Sequence, residues 1–127
     1  MERVNIKTRL SLLIGIGFIT GMAISVIDNF AFGGEVSPIV IVALLLSASV
    51  ILGAFFGTRG SIALVFVWVC IPLVHLVKHI LNIPDTINPN TYASILKLAI
   101  FTFVVALIGL GCGIIFNKLL KGAIKNN

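Results

Sequence analysis

The sequence predicts an all-α integral membrane protein: four transmembrane helices in an antiparallel up-down bundle, with both termini in the cytoplasm. Three observations predict it. The 127-residue chain is 59% hydrophobic and 10% charged, whereas soluble domains carry roughly 25% charged residues. Its mean hydropathy is +1.20. Its charges punctuate long apolar runs and form no basic face with interleaved aromatics, so the net charge of +5 reads as membrane topology and not as a nucleic-acid footprint. The length allows a single transmembrane domain over residues 1–127.

The uncharged stretches run 10–27, 36–58, 60–77 and 98–117, holding 18, 23, 18 and 20 residues. About 20 apolar residues cross a bilayer as a helix. Helix is the expected state, because backbone groups in lipid must be satisfied internally and four spans are too few for a closed barrel. The first stretch follows Arg3, Lys7 and Arg9 and contains Gly21-Met22-Ala23, an arrangement like a signal peptide. It is long for the apolar region of one, so it reads as a retained first span.

End signals refine the spans to about 10–27, 36–58, 60–81 and 91–117. Ser37-Pro38 reads as a cap followed by proline at the first helical position. Gly57-Thr58-Arg59-Gly60-Ser61 reads as a tight connection, with Ser61 a cap for the third helix. Asn82-Ile83-Pro84-Asp85 stops that helix, and Asn88-Pro89 starts the fourth.

Orientation follows from the basic residues. Arg3, Lys7, Arg9, Arg59, Lys118, Lys121 and Lys125 fall on one side, and Lys78 and Lys97 on the other. The positive-inside rule puts both termini and the Arg59 turn in the cytoplasm. Asp28, Glu35 and Asp85 then belong to outer loops. Each half reads as a helical hairpin with an acidic outer loop and a glycine-rich inner end, the pattern of a duplicated two-helix unit.

Small residues recur at four-residue spacing: Gly17, Gly21 and Ser25; Ser49, Gly53 and Gly57; Gly109 and Gly113. Such spacing makes a shallow groove where backbones approach closely, which matters in lipid because apolar surfaces there gain nothing by leaving water. These residues are the expected helix contacts, within the chain or with a second copy.

The polar residues that stand out lie in WVCIPLVHLVKH, residues 68–79. His75 and His79 share a helix face with Trp68, Pro72 and Asn82. His75 sits roughly 10 Å below the outer end of its helix at 1.5 Å per residue. Pro72 is expected to kink the helix just below it. Lys78 and Lys97 bound their apolar runs and are expected to snorkel outward. Two environments compete for His75: a neighbouring protein group, or a polar outer vestibule formed by His75, Lys78, His79, Asp28, Glu35, Asp85 and Lys97. A metal or haem site has a thin ligand set. Cys70 is on another face from His75, and both Cys70 and Cys112 read as packing residues.

No phosphate loop, intramembrane carboxylate pair or nucleophile triad is present, so the sequence predicts neither enzymatic activity nor a bound cofactor. It supports two function classes. The first is a structural or accessory membrane component that oligomerises or joins another membrane subunit. The second is a small oligomeric channel or carrier using the outer polar cluster. The expected partners are the bilayer, a second copy and other membrane subunits, and the expected location is the cell membrane. The midplane discriminates: a permeation path needs polar groups continuing inward through Trp68, Ser61, Ser47, Ser49, Thr102 or Thr20, and those hydroxyls are sparse and can bond back to their own helices.

Overall fold

The computed structural model describes residues 2–30, 37–83 and 91–127. Over them the chain is all-helical. Helix α1 spans Glu2–Phe30, α2 spans Pro38–Phe56, a 3-10 turn covers Gly57–Arg59, α3 spans Gly60–Ile80 and α4 spans Tyr92–Asn126. Three helical stretches are long and apolar enough to cross a membrane: Arg9–Phe30, Pro38–Ile80 and Tyr92–Asn126. The middle stretch comprises α2, the turn and α3.

Local chemistry sets the ends. Pro38 opens α2, where its missing N–H is no loss. Ser37 precedes it, but its side chain makes no capping bond. Gly57 closes α2 at φ 59°, a left-handed conformation that glycine adopts without a Cβ clash. Ser61 lies inside the first turn of α3, and its hydroxyl donates to the Thr58 carbonyl at 2.8 Å. Helix α3 runs unbroken through Pro72. It ends in a Schellman motif: Asn82 is left-handed at φ 53°, Ile83 N–H donates to Lys78 O at 2.9 Å, and Asn82 N–H to His79 O at 3.2 Å. Helix α4 starts from a reciprocal capping box between Thr91 and Ser94. Asn88 and Pro89, expected to start it, lie outside the described residues.

The outer helices are longer than the charge boundaries suggest. Helix α1 begins before residue 10 and continues past Ile27 to Phe30. Helix α4 has 35 residues and is therefore about 52 Å long, continuing past Asn117 as an exposed basic extension. A lysine between apolar residues ends a hydropathy window without ending the backbone hydrogen bonding.

The helices assemble as two close pairs. Helix α1 packs on α3, and α2 packs on α4, while α3 also touches α4. In the first pair Gly17 meets Ala63, and Gly21 meets Val67 and Cys70. In the second, Gly109 meets Leu46 and Ser49, and Gly113 meets Val50, Gly53 and Ala54. Residue numbers rise together in both, so each pair is parallel. Helices α3 and α4 run oppositely, since Trp68 meets Ala99 and His79 meets Tyr92. The first helices of the two halves thus pack on each other, and so do the second helices.

Glycine makes the pairing possible. A methyl at Gly17 would overlap the Ala63 carbonyl, and one at Gly113 would overlap the Val50 carbonyl. Gly21, Gly53 and Gly109 sit in the same two seams, with Ser49 facing Gly109. Gly57 is different: it serves the turn and not a groove. The core between the pairs holds Leu13, Ile24, Leu45, Leu52, Leu64, Val67, Ile71 and Leu110, together with Ala63 and Ala106.

Candidate functional site: a buried polar clamp

The α1–α3 seam is apolar until its last turns. There α1 presents Ser25, Asp28 and Asn29, and α3 presents His75 and Lys78. The parallel in-register packing brings them together. The seam that pairs Gly21 with Val67 pairs, two turns later, Asp28 with His75.

His75 Nε2 and an Asp28 carboxylate oxygen are 2.7 Å apart. Lys78 Nζ donates to Asn29 Oδ1 at 2.9 Å. Asn29 Nδ2 donates to the Ser25 carbonyl at 2.8 Å, one turn back on α1. Asn29 therefore has its amide orientation fixed from both ends: only oxygen can face the lysine, and only nitrogen the carbonyl. His75 and Lys78 each have a further interaction beyond these.

All four side chains are withdrawn from the surface: Asp28 is 6% exposed, Asn29 5%, His75 7% and Lys78 5%. Burying charge in isolation costs several kcal/mol per ion, so such groups persist only when paired and hydrogen-bonded. Here the formal charges of Asp28 and Lys78 offset one another, with His75 and Asn29 as the immediate partners. Ser25 lies beneath them, fully buried, and its hydroxyl has no hydrogen-bond partner among the described residues.

Helix electrostatics favours one side only. His75 and Lys78 stand near the C-terminal end of α3, where positive charge is favoured. Asp28 stands near the C-terminal end of α1, where negative charge is disfavoured. Its position is explained by what α3 brings to it and not by its own helix.

Three of the seven residues expected at the outer cluster are thus brought together: Asp28, His75 and Lys78. Two expectations are corrected. Asp28 is not a loop residue but lies in the last turn of α1. Lys78 does not reach outward, because Asn29 holds it in the seam. His79 turns toward α4, its ring edge-on to Tyr92 at 4.6 Å. Lys97 is exposed on α4. Glu35 and Asp85 lie outside the described residues. Asn29 was missed, although its neighbour Asp28 and its four-residue spacing from Ser25 placed it on the same face.

The polar stripe on α3 is therefore divided, since α3 lies between two helices. His75 serves α1. Trp68 and His79 serve α4: Trp68 Nε1 donates to the Ala99 carbonyl at 2.9 Å, and its ring tilts against Phe103 at 4.9 Å. Cys70 packs against Gly21. Among the described residues, no three histidine, cysteine, aspartate or glutamate side chains converge as a metal site. Neither protein-family models, curated proteins nor solved structures match this chain.

Proposed function

We propose that the chain crosses the cell membrane four times as an up-down bundle, with both termini and the Arg59 turn cytoplasmic, and acts as a structural or accessory component of a membrane assembly. The supporting observation is the packed middle layer. Leu45, Ala63, Val67, Ile71 and Ala106 are fully buried there. The nearby hydroxyls are spent on their own helices: Ser47 bonds the Ala43 carbonyl, Ser49 that of Leu45, and Thr102 that of Leu98. A layer of this kind favours a structural part over a conduit. Asp28, Asn29, His75 and Lys78 then act as a clamp that sets the register of α1 on α3.

The glycine seams are occupied within the chain, so they no longer argue for assembly. A second copy or another subunit would meet the outward apolar faces, such as Ile19, Ile39, Phe55 and Leu96, which lipid covers as well as a partner does. The test is mass analysis of complexes extracted from native membranes, paired with flux assays in liposomes. A reproducible larger membrane partner and no flux support the accessory role. Solute or proton flux through the purified chain overturns it.

One observation favours the channel or carrier reading. A buried ionisable cluster at membrane depth is a functional group by default, and the Ser25 hydroxyl, without a hydrogen-bond partner among the described residues, offers it a place for water. On that reading Asp28→Asn and His75→Gln each abolish flux measured in the same liposomes.

A further inference from the structure

The opposite end of the molecule carries a second polar feature, unrelated to the clamp. A cleft of about 380 Å³ opens between the turn and α4, and its walls include Thr58, Arg59, Asn117, Lys118 and Lys121 over a floor of Phe56 and Ile114. Among the described residues, no acidic side chain lines it. Its volume falls within the ordinary range for small-ligand sites.

The cleft is built, and not left over. Asn117 Nδ2 donates to the Ala54 carbonyl at 2.5 Å, tying α4 to the last turn of α2. That bond sets Lys118 and Lys121, three apart and on one helix face, beside Arg59. Gly57 turns the chain so that Thr58 and Arg59 form the opposite wall. A neighbouring cleft of about 290 Å³ shares Phe56 and Arg59 and continues between Leu12, Leu13 and Phe55, with Arg9 at its edge. The two open clefts thus lie side by side, one lined by three cations and the other mainly by apolar side chains.

We infer that this end binds an anionic phospholipid, its phosphate among Arg59, Lys118 and Lys121 and an acyl chain along Leu12 and Phe55. Basic pockets between membrane helices on the cytoplasmic side recognise such headgroups. A free phosphate would use the cationic cleft and leave the apolar one empty. A lipid fills both. The inference rests on the membrane-spanning orientation proposed above.

The test uses the full-length chain in mild detergent, measuring retention of phosphatidylglycerol against phosphatidylcholine by native mass spectrometry. Phosphatidylglycerol is expected to be retained preferentially. Each of Arg59→Gln, Lys118→Gln and Lys121→Gln should weaken its binding about fivefold, and the triple variant roughly a hundredfold. Lys97→Gln, on an exposed residue away from the cleft, should leave binding unchanged. Leu12→Trp, which blocks the apolar cleft, should weaken the lipid without weakening inorganic phosphate. Equal retention of both lipids, or preference surviving in a folded triple variant, overturns the inference. So does competition by inorganic phosphate at equal concentration. Release of the protein from membranes by alkaline extraction would instead refute the membrane-spanning reading, separately from the lipid site.

Discussion

The contact between Asp28 and His75 makes the strongest prediction. The two groups are 2.7 Å apart and both lie under one-tenth exposed. Replacing one partner alone, as in Asp28→Leu or His75→Leu, removes the 2.7 Å contact and leaves the other buried without it. Removing one side of a buried hydrogen bond costs about 1–3 kcal/mol, and more where a charged group is left behind. Replacing both with leucine removes the bond from each side at once but leaves buried Lys78 without the carboxylate that offsets it, so the double variant keeps part of the loss while falling short of the sum of the two single losses. The expected coupling in a double-mutant cycle is therefore at least about 2 kcal/mol. An ordinary hydrogen bond between membrane helices averages only about 0.6 kcal/mol, with a maximum near 1.7, so the two cases separate. The assay is reversible unfolding of the four proteins in mixed micelles by titrated denaturing detergent. Single losses that add to within about 0.5 kcal/mol in the double variant would show that water already solvates the pair, and the clamp would have to be abandoned.

Three further outcomes follow from the same packing. Lys78→Met removes the donor to Asn29 and the charge that offsets Asp28; unfolding in micelles should show a loss of about 1.5–3 kcal/mol. Gly113→Ala should destabilise by about 1–3 kcal/mol because its methyl meets the α2 backbone, whereas Gly111→Ala, with open space beside it, should be neutral or slightly stabilising. Equal effects at these two positions, read from unfolding midpoints, would contradict the α2–α4 seam. Thr91→Ala removes the cap of α4 and should cost about 1 kcal/mol, seen as faster hydrogen exchange at the Ser94 amide, which donates to the Thr91 hydroxyl at 3.1 Å.

Much of the fold was legible because it depends on local chemistry. The Gly57–Ser61 connection, Pro38 at a helix start and Asn82 at a helix end each follow from backbone preferences of one or two residues. The small residues of the seams were legible as contacts, since Gly17, Gly21, Gly53, Gly109 and Gly113 repeat at helical spacing. Which helix each would meet was not, because a groove records the shape of one surface and not the address of its partner. The same limit misplaced two polar residues. Asp28 follows an apolar run and so reads as a loop, and Lys78 bounds one and so reads as reaching outward. Neither reading contains the other helix.

The sequence by itself determined that the chain is helical, where α2 and α3 begin and end within a turn, and which small residues permit close approach. Periodicity, capping and hydropathy act over a few residues, so they are written locally. Only the tertiary structure decided that α1 lies parallel to α3 with a nearly constant offset. That register carries Gly21 onto Val67 and, two turns later, Asp28 onto His75 and Asn29 onto Lys78. A buried charge is tolerable only beside its partner, and the partner sits 47 residues away in the chain. Interactions at that separation are decided by packing.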